Sequence, residues 1–385
     1  MLFEDIEGYD VHHDVLSTLG TFRPARVLLP NLRTVVFDSK STIALPCAQS
    51  IFGPSITSVW FQGSHPPPHF HLLCSSLLRL SPKIQEIWYY CEDSPRPTLL
   101  RLIAGLKNLK VLFLCCNPYA KLPIEHLSGH TALRILGYLQ LEHTDIPHLT
   151  TSMDLKSFYF RADWQTCYST LDSLHCSWEE LRIIVYKGPW QMSSLRGFTD
   201  RLSQHPSHIS LKDIQLRLDS ALLDDPSTSL SQALQPLFLC RALQRVELTS
   251  FPFHTLDDSW LLNVSLAWSS LKSLTLDEEN VSTNFSLAGL IPLVNHCPKL
   301  RFLKLGINAR AINPDALYGV KGRDMRSMSV CRNSTILHPE GVARSLAMLF
   351  PKLKSLGLGT GIACISEWRQ VKKWLRESAY HDSST

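Results

Sequence analysis

The chain lacks most of the features that announce a chemistry. It has no GxxxxGKS/T loop, no HExxH pair and no GxSxG elbow, so no phosphate cradle, metalloprotease helix or nucleophile is signalled. Its eleven cysteines are odd in number and form no CxxC pair. That pattern predicts reduced, mostly buried thiols in place of a disulfide framework or a zinc site. The opening stretch MLFEDIEGYD is acidic and has no basic-then-apolar order, so no signal peptide is expected. No apolar run reaches the roughly 18 residues of a membrane span. Charge is scarce as well: 19% of residues are charged and the net charge is +4, without long blocks of one sign. A dedicated nucleic-acid binder would concentrate basic charge. The expectation is a protein without cofactor, not an enzyme, that is cytoplasmic and/or nuclear and contacts neither membrane nor nucleic acid.

What the chain does have is apolar residues, 44% of the total, and they recur. A hexad of the form apolar-x-x-apolar-x-apolar begins at Leu32 (LRTVVF), Ile56 (ITSVWF), Ile84 (IQEIWY), Leu109 (LKVLFL), Leu133 (LRILGY) and Leu155 (LKSFYF). It continues at Leu181 (LRIIVY), Leu211 (LKDIQL), Leu243 (LQRVEL), Leu271 (LKSLTL), Leu300 (LRFLKL), Met325 (MRSMSV) and Leu353 (LKSLGL). The thirteen starts lie 22 to 32 residues apart, and several share a lead-in such as SPKI, CPKL or FPKL.

A period of this length headed by LxxLxL is the leucine-rich-repeat signature. Positions four and six alternate with outward positions along a short strand and point inward together. No unit buries its own apolar face, so only stacking closes the core. The predicted fold class is α/β: a leucine-rich-repeat solenoid of about 13 repeats, with a curved parallel sheet on the concave side and helices and irregular segments on the convex side. Residues 1–26 are expected to form an N-terminal cap or a linker remnant, with one short helix over Val11–Gly20. The solenoid spans 27–361. Residues 362–378 form a capping helix, because Ile365, Trp368, Val371, Trp374 and Leu375 fall at helical spacing. Residues 379–385 are expected as a disordered tail. The usual asparagine after the last hexad leucine occurs only at Asn117 and Asn308, so most loops must be satisfied by other groups.

The stretches HHDVLSTLGTFRPARVLLPNLRTVVF and SIFGPSITSVWF, with the later PKL-RFLKL units, resemble fungal F-box/leucine-rich-repeat proteins. The resemblance covers nearly the whole chain as repeat texture and lead-in phrases. It implies a substrate receptor of a Skp–cullin–F-box ubiquitin ligase: an F-box would bind a Skp-type adaptor and cullin, and the repeats would hold a protein substrate. An F-box opens with an LP-containing amphipathic helix followed by further helices, and residues 1–31 have neither that pattern nor that length. The alternative is a ligase-independent repeat scaffold or inhibitor that only binds a partner.

The third and fifth hexad positions are expected on the concave face. There the fifth positions are Val36, Trp60, Trp88, Phe113, Gly137, Tyr159 and Val185, followed by the polar set Gln215, Glu247, Thr275, Lys304 and Ser329. With the third positions Val111, Ile135 and Ile183, they give a candidate partner-binding patch: Trp60, Trp88, Val111, Phe113, Ile135, Tyr159, Ile183 and Val185. Exposed aromatics are the usual anchors of a protein interface. Second positions are basic in ten hexads, from Arg33 to Lys354, and are expected to solvate the strand edge. Two further clusters read as structure. GLGTG (Gly357 to Gly361) closes the last repeat, and His65, His69 and His71 sit in a proline-stiffened loop.

Overall fold

The structure is a computed structural model that describes residues 27, 29–38, 51–67, 69–93, 95–116, 127, 129–146, 154–186, 191–219, 229–277, 284–310, 322, 324–332, 334–359, 362 and 364–382. The expected N-terminal segment 1–26, Asn117 and residues 383–385 lie outside these.

Each hexad builds the same piece of backbone. In IQEIWY, Ile84 is fully buried just before the strand Glu86–Cys91. Within that strand Ile87, Tyr89 and Cys91 are buried, while Glu86, Trp88 and Tyr90 are half-buried on the opposite face. The period-two alternation of a pleated strand therefore sorts the side chains. The joint to the preceding repeat is equally regular. The amides of Lys110 and Val111 both donate to the carbonyl of Gln85, at 2.7 and 3.0 Å. The same shared acceptor, the second hexad position, recurs at Arg33, Lys110, Lys212, Gln244, Lys272, Arg301 and Arg326.

The chain divides into two compact units, 1–159 and 160–385. In the first, strands β1 (Thr34–Asp38), β2 (Ser58–Gly63), β3 (Glu86–Cys91), β4 (Val111–Cys115) and β5 (Ile135–Gln140) pair in parallel and in chain order. Helices Phe70–Leu80 and Pro97–Gly105 cover the inward face. Strand β6 (Ser157–Ala162) holds the division between the units. In the second unit β7 (Glu180–Val185), β8 (Asp213–Leu218), β9 (Arg245–Thr249), β10 (Ser273–Asp277) and β11 (Phe302–Leu305) continue the pattern. Strands β13 (Ser327–Val330) and β15 (Ser355–Leu358) complete it. The short strands β12 (Asn308–Ala309) and β14 (Thr335–Ile336) pair apart from this ladder. Every one of the thirteen hexads thus meets a ladder strand.

One hexad sits in a register different from the one expected. Leu181 pairs with Ile214 and Ile183 with Leu216, which are the fourth and sixth positions of the next hexad. The repeat therefore starts at Trp178, fully buried, and runs WEELRI. The backbone agrees: Lys212 and Asp213 donate to Glu179, which now holds the second position. Arg182 moves to the fifth position, which leaves nine basic second positions instead of ten.

Hydroxyls, indoles and thiols replace the missing asparagines. Ser207 Oγ donates to the Cys176 carbonyl at 2.8 Å, accepts from the Trp178 amide at 2.8 Å, and is followed by Ser210 Oγ on the Trp178 carbonyl. Trp268 Nε1 reaches the Leu237 carbonyl and Ser334 Oγ accepts from the Ile307 amide. Asn308 plays the expected part: its Oδ1 accepts from the Arg310 amide and from Thr335 Oγ1. These bonds satisfy buried backbone groups that would each cost about 1–3 kcal/mol if left bare.

The C-terminal helix runs Ile365–Asp382. Trp368 and Val371 are fully buried beneath it, and Trp368 Nε1 donates to the Ser334 carbonyl. It passes the expected end at Ser378, so residues 379–382 are helix and not tail. Ala379 to Asp382 contain no glycine or proline to stop it.

Candidate functional site

The face of the first unit's sheet that points away from the helices carries a row of aromatic rings. Parallel, in-register pairing puts Trp60 beside Trp88 and Trp88 beside Phe113. Trp60 stacks on Trp88 with centroids 5.1 Å apart, and Trp88 lies 4.9 Å from Phe113. Tyr90, one pleat further along β3, is 6.3 Å from Trp88 with its ring nearly parallel to the indole, and 5.5 Å from Phe113. All four are half-buried. Each indole N–H turns back along its own strand: Trp60 donates to Ser58 Oγ at 2.9 Å and Trp88 points at Glu86 at 3.5 Å.

The row ends at a glycine. A Cβ on Gly137 would stand 2.5 Å from Phe113 Cδ2 and 3.1 Å from Tyr159 Cδ2. Only a bare backbone on β5 lets those rings approach each other, at 6.0 Å and 76°. Val36 extends the apolar surface on β1 and is 38% exposed. Of the other expected members, Ile135 is half-buried, while Val111 and Tyr159 keep only 8% exposure.

Ile183 and Val185 do not belong to this face. They are 2% and 1% exposed, on the core side of β7. The register shift at Trp178 is the cause, and Arg182 and Ile184 take the outward positions. Tyr90, in contrast, was missed. It occupies a seventh position, one residue beyond the hexad IQEIWY.

In the second unit the equivalent face is charged and internally paired. Asp213 is 5% exposed and meets Arg245 at 2.7 Å and Arg182 at 3.6 Å. Burial still raises its pKa, outweighing the two guanidinium groups. Asp219 takes Arg161 at 2.8 Å, whose guanidinium also covers the Tyr186 ring at 4.4 Å. Lys304 contacts Asp277 at 2.6 Å.

His65 pairs with Asp93 at 3.2 Å, and among the described residues no three His, Cys, Asp or Glu side chains converge to hold a metal. Gly357 is part of β15, where a Cβ would press on Ser329 Oγ at 2.9 Å. It serves close strand packing.

No protein-family model matches the chain, and no curated protein matches it. Among solved structures it is similar to yeast Rad7, determined in complex with Elc1. That match has 14% identity, 90% coverage of this chain, 87% coverage of that one and a TM-score of 0.54. An internalin, InlF from Listeria monocytogenes, matches at 15% identity over 90% of this chain and 88% of its own, with a TM-score of 0.45. The fold is an α/β leucine-rich-repeat solenoid. At such identities the likeness is one of fold alone.

Proposed function

We propose that the chain is a protein-recognition module that catalyses no reaction, with Trp60, Trp88, Tyr90 and Phe113 as the anchors of its partner surface. The aromatic row carries this reading. Four large rings kept half-exposed on one sheet face hold apolar area that a partner would bury, and such rings dominate interface energetics. Val36 and Ile135 widen the patch. In finer terms, the chain is the substrate-receptor part of an F-box-type ubiquitin-ligase subunit, cytoplasmic or nuclear. The F-box/leucine-rich-repeat resemblance supports that reading, as does fold likeness to Rad7, which was itself solved bound to another protein. Free cysteines at all ten described positions are compatible with a reducing compartment. No described helix is long and apolar enough to cross a membrane.

The test is affinity purification of the full chain, tagged at its C-terminus, with mass spectrometry of what it retains. Skp-type adaptor and cullin peptides beside a substrate support the ligase reading. One stoichiometric partner without adaptor or cullin favours a ligase-independent scaffold. The same purification with Trp60→Ala/Trp88→Ala should lose the substrate while keeping the fold. Undiminished capture by that variant would remove the aromatic row from the interface.

A further inference from the structure

At the C-terminal end, the turn Pro351–Lys354, the first residues of strand β15 and helix Ile365–Asp382 border an open groove of about 1000 Å³. Arg326, Lys352 and Lys354 stand on its strand side, and Lys372 and Arg376 on its helix side. Leu356 and Leu375 supply apolar lining. Among the described residues no carboxylate lines the groove. None of the five cations has an ion pair among them either; the helix's own pair joins Lys373 to Glu377. Lys372 and Arg376 are four residues apart on one helical face, where like charges repel. Trp368 and Val371, fully buried, fix the rotation of the helix and so hold that repulsion in place.

The backbone contributes a second feature. The amides of Ser355 and Gly359 donate back to Arg326 and Val330. In a parallel ladder the residues between them, Leu356 and Leu358, turn their N–H and C=O groups to the other side. Strand β15 is last in the sheet order, so no ladder strand follows there. An exposed strand edge is a template for an added strand.

We propose that this groove takes an extended acidic segment of a partner protein. The segment adds as a strand on β15 and sets its Asp and Glu carboxylates against Arg326, Lys352, Lys354, Lys372 and Arg376. Charge complementarity selects the acidic segment. The lining holds no aromatic ring, and so lacks the stacking platform on which single-stranded nucleic acid is held. The groove lies in the second unit and the aromatic row in the first, so each is testable while the other is intact.

The probe is a fluorescent peptide of about ten residues alternating Glu with Val, long enough to cover one strand, read by anisotropy against the full chain. Lys354→Glu/Arg376→Glu should weaken binding about tenfold or more, the scale expected for close charge pairs. Arg33→Glu/Lys110→Glu makes the same charge change on the first unit and should leave binding unchanged. All four residues are exposed, so both variants should melt with the wild type. N-methylation of alternate peptide amides, in the register that faces β15, should abolish binding. Three results would each overturn the proposal: equal weakening by both reversals, undiminished binding of the N-methylated peptide, or no binding at all. Tighter binding of an oligo-dT of equal charge would overturn it in favour of nucleic acid.

Discussion

Phe113 and Tyr159 meet edge to face, 6.0 Å apart at 76°, across the backbone of Gly137. The two rings belong to strands β4 and β6, so the glycine on β5 acts as a window between them. Filling it tests how far the aromatic row is one packed object. Gly137→Ala places a methyl group 2.5 Å from Phe113 Cδ2, and the ring must move. Overpacking of this kind costs about 1–3 kcal/mol. A lowered thermal midpoint is expected, together with weaker partner capture, because the displaced Phe113 lies against Trp88 and Tyr90. A variant as stable as the wild type would show that the rings give way freely.

The end of the array should fail locally. Trp368→Ala removes a fully buried indole and its bond to Ser334, at a cost of about 3–5 kcal/mol. Stability in repeat proteins is a sum of nearest-neighbour terms. Hydrogen exchange should therefore rise in β13, β15 and helix Pro339–Leu349 and stay unchanged in β7 to β9. Uniform loss of protection across the second unit would contradict this.

Acid should act through His205. The ring is buried, lies flat on Trp178 at 4.4 Å, donates from Nε2 to the Leu174 carbonyl and accepts at Nδ1 from the Ser207 amide at 3.1 Å. Protonating Nδ1 breaks that last bond. Burial lowers the pKa below the ordinary value of 6.5, helped by His175 and His208 and opposed by the bond to Leu174. A depressed folded pKa means that the contribution is present above the unfolded value and lost as pH falls through the folded one. Denaturant midpoints should therefore drop on the acid side of pH 6.5 in the wild type. With His205→Gln, which cannot titrate, the profile should be flatter over the same range.

Thiol labelling should be selective. Burial pushes Cys74, Cys116 and Cys240 up to about 12, whereas Cys115 and Cys364 are only half-buried. A thiol reagent at pH 8 followed by peptide mapping should modify Cys115 and Cys364 ahead of the other described cysteines, since the reagent has to reach the sulfur.

The repeat architecture was readable because its signal is local: the spacing of a few leucines determines which way each strand faces. Register failed at WEELRIIVY for the same reason. Trp178, Leu181 and Ile183 fit the hexad as well as Leu181, Ile184 and Tyr186 do, and only the pairing with the neighbouring repeat, Leu181 beside Ile214 and the amides of Lys212 and Asp213 on Glu179, separates them. Ile183 and Val185 were misplaced with it. The aromatic row was legible at Trp60, Trp88 and Phe113, which fall on hexad positions, and illegible at Tyr90, which does not. The basic groove could not be read at all. Lys354 and Arg376 are 22 positions apart in the chain, and only the docking of the last helix makes them neighbours.

The hydrogen bonds that replace the asparagines also govern how the second unit would answer a mechanical load. Most tie a residue to one about thirty positions away, as Ser207 to Cys176 or Trp268 to Leu237 do. Pulling from the C-terminus should peel off one repeat at a time, each releasing roughly 90 Å of chain at about 3.4 Å per residue. Among the described residues, bonds at two places reach twice as far: Cys331 Sγ to the Leu276 carbonyl and Asp277 Oδ1, and Arg161 to Asp219. They clamp three successive strands, and a force trace should show larger steps at those two places.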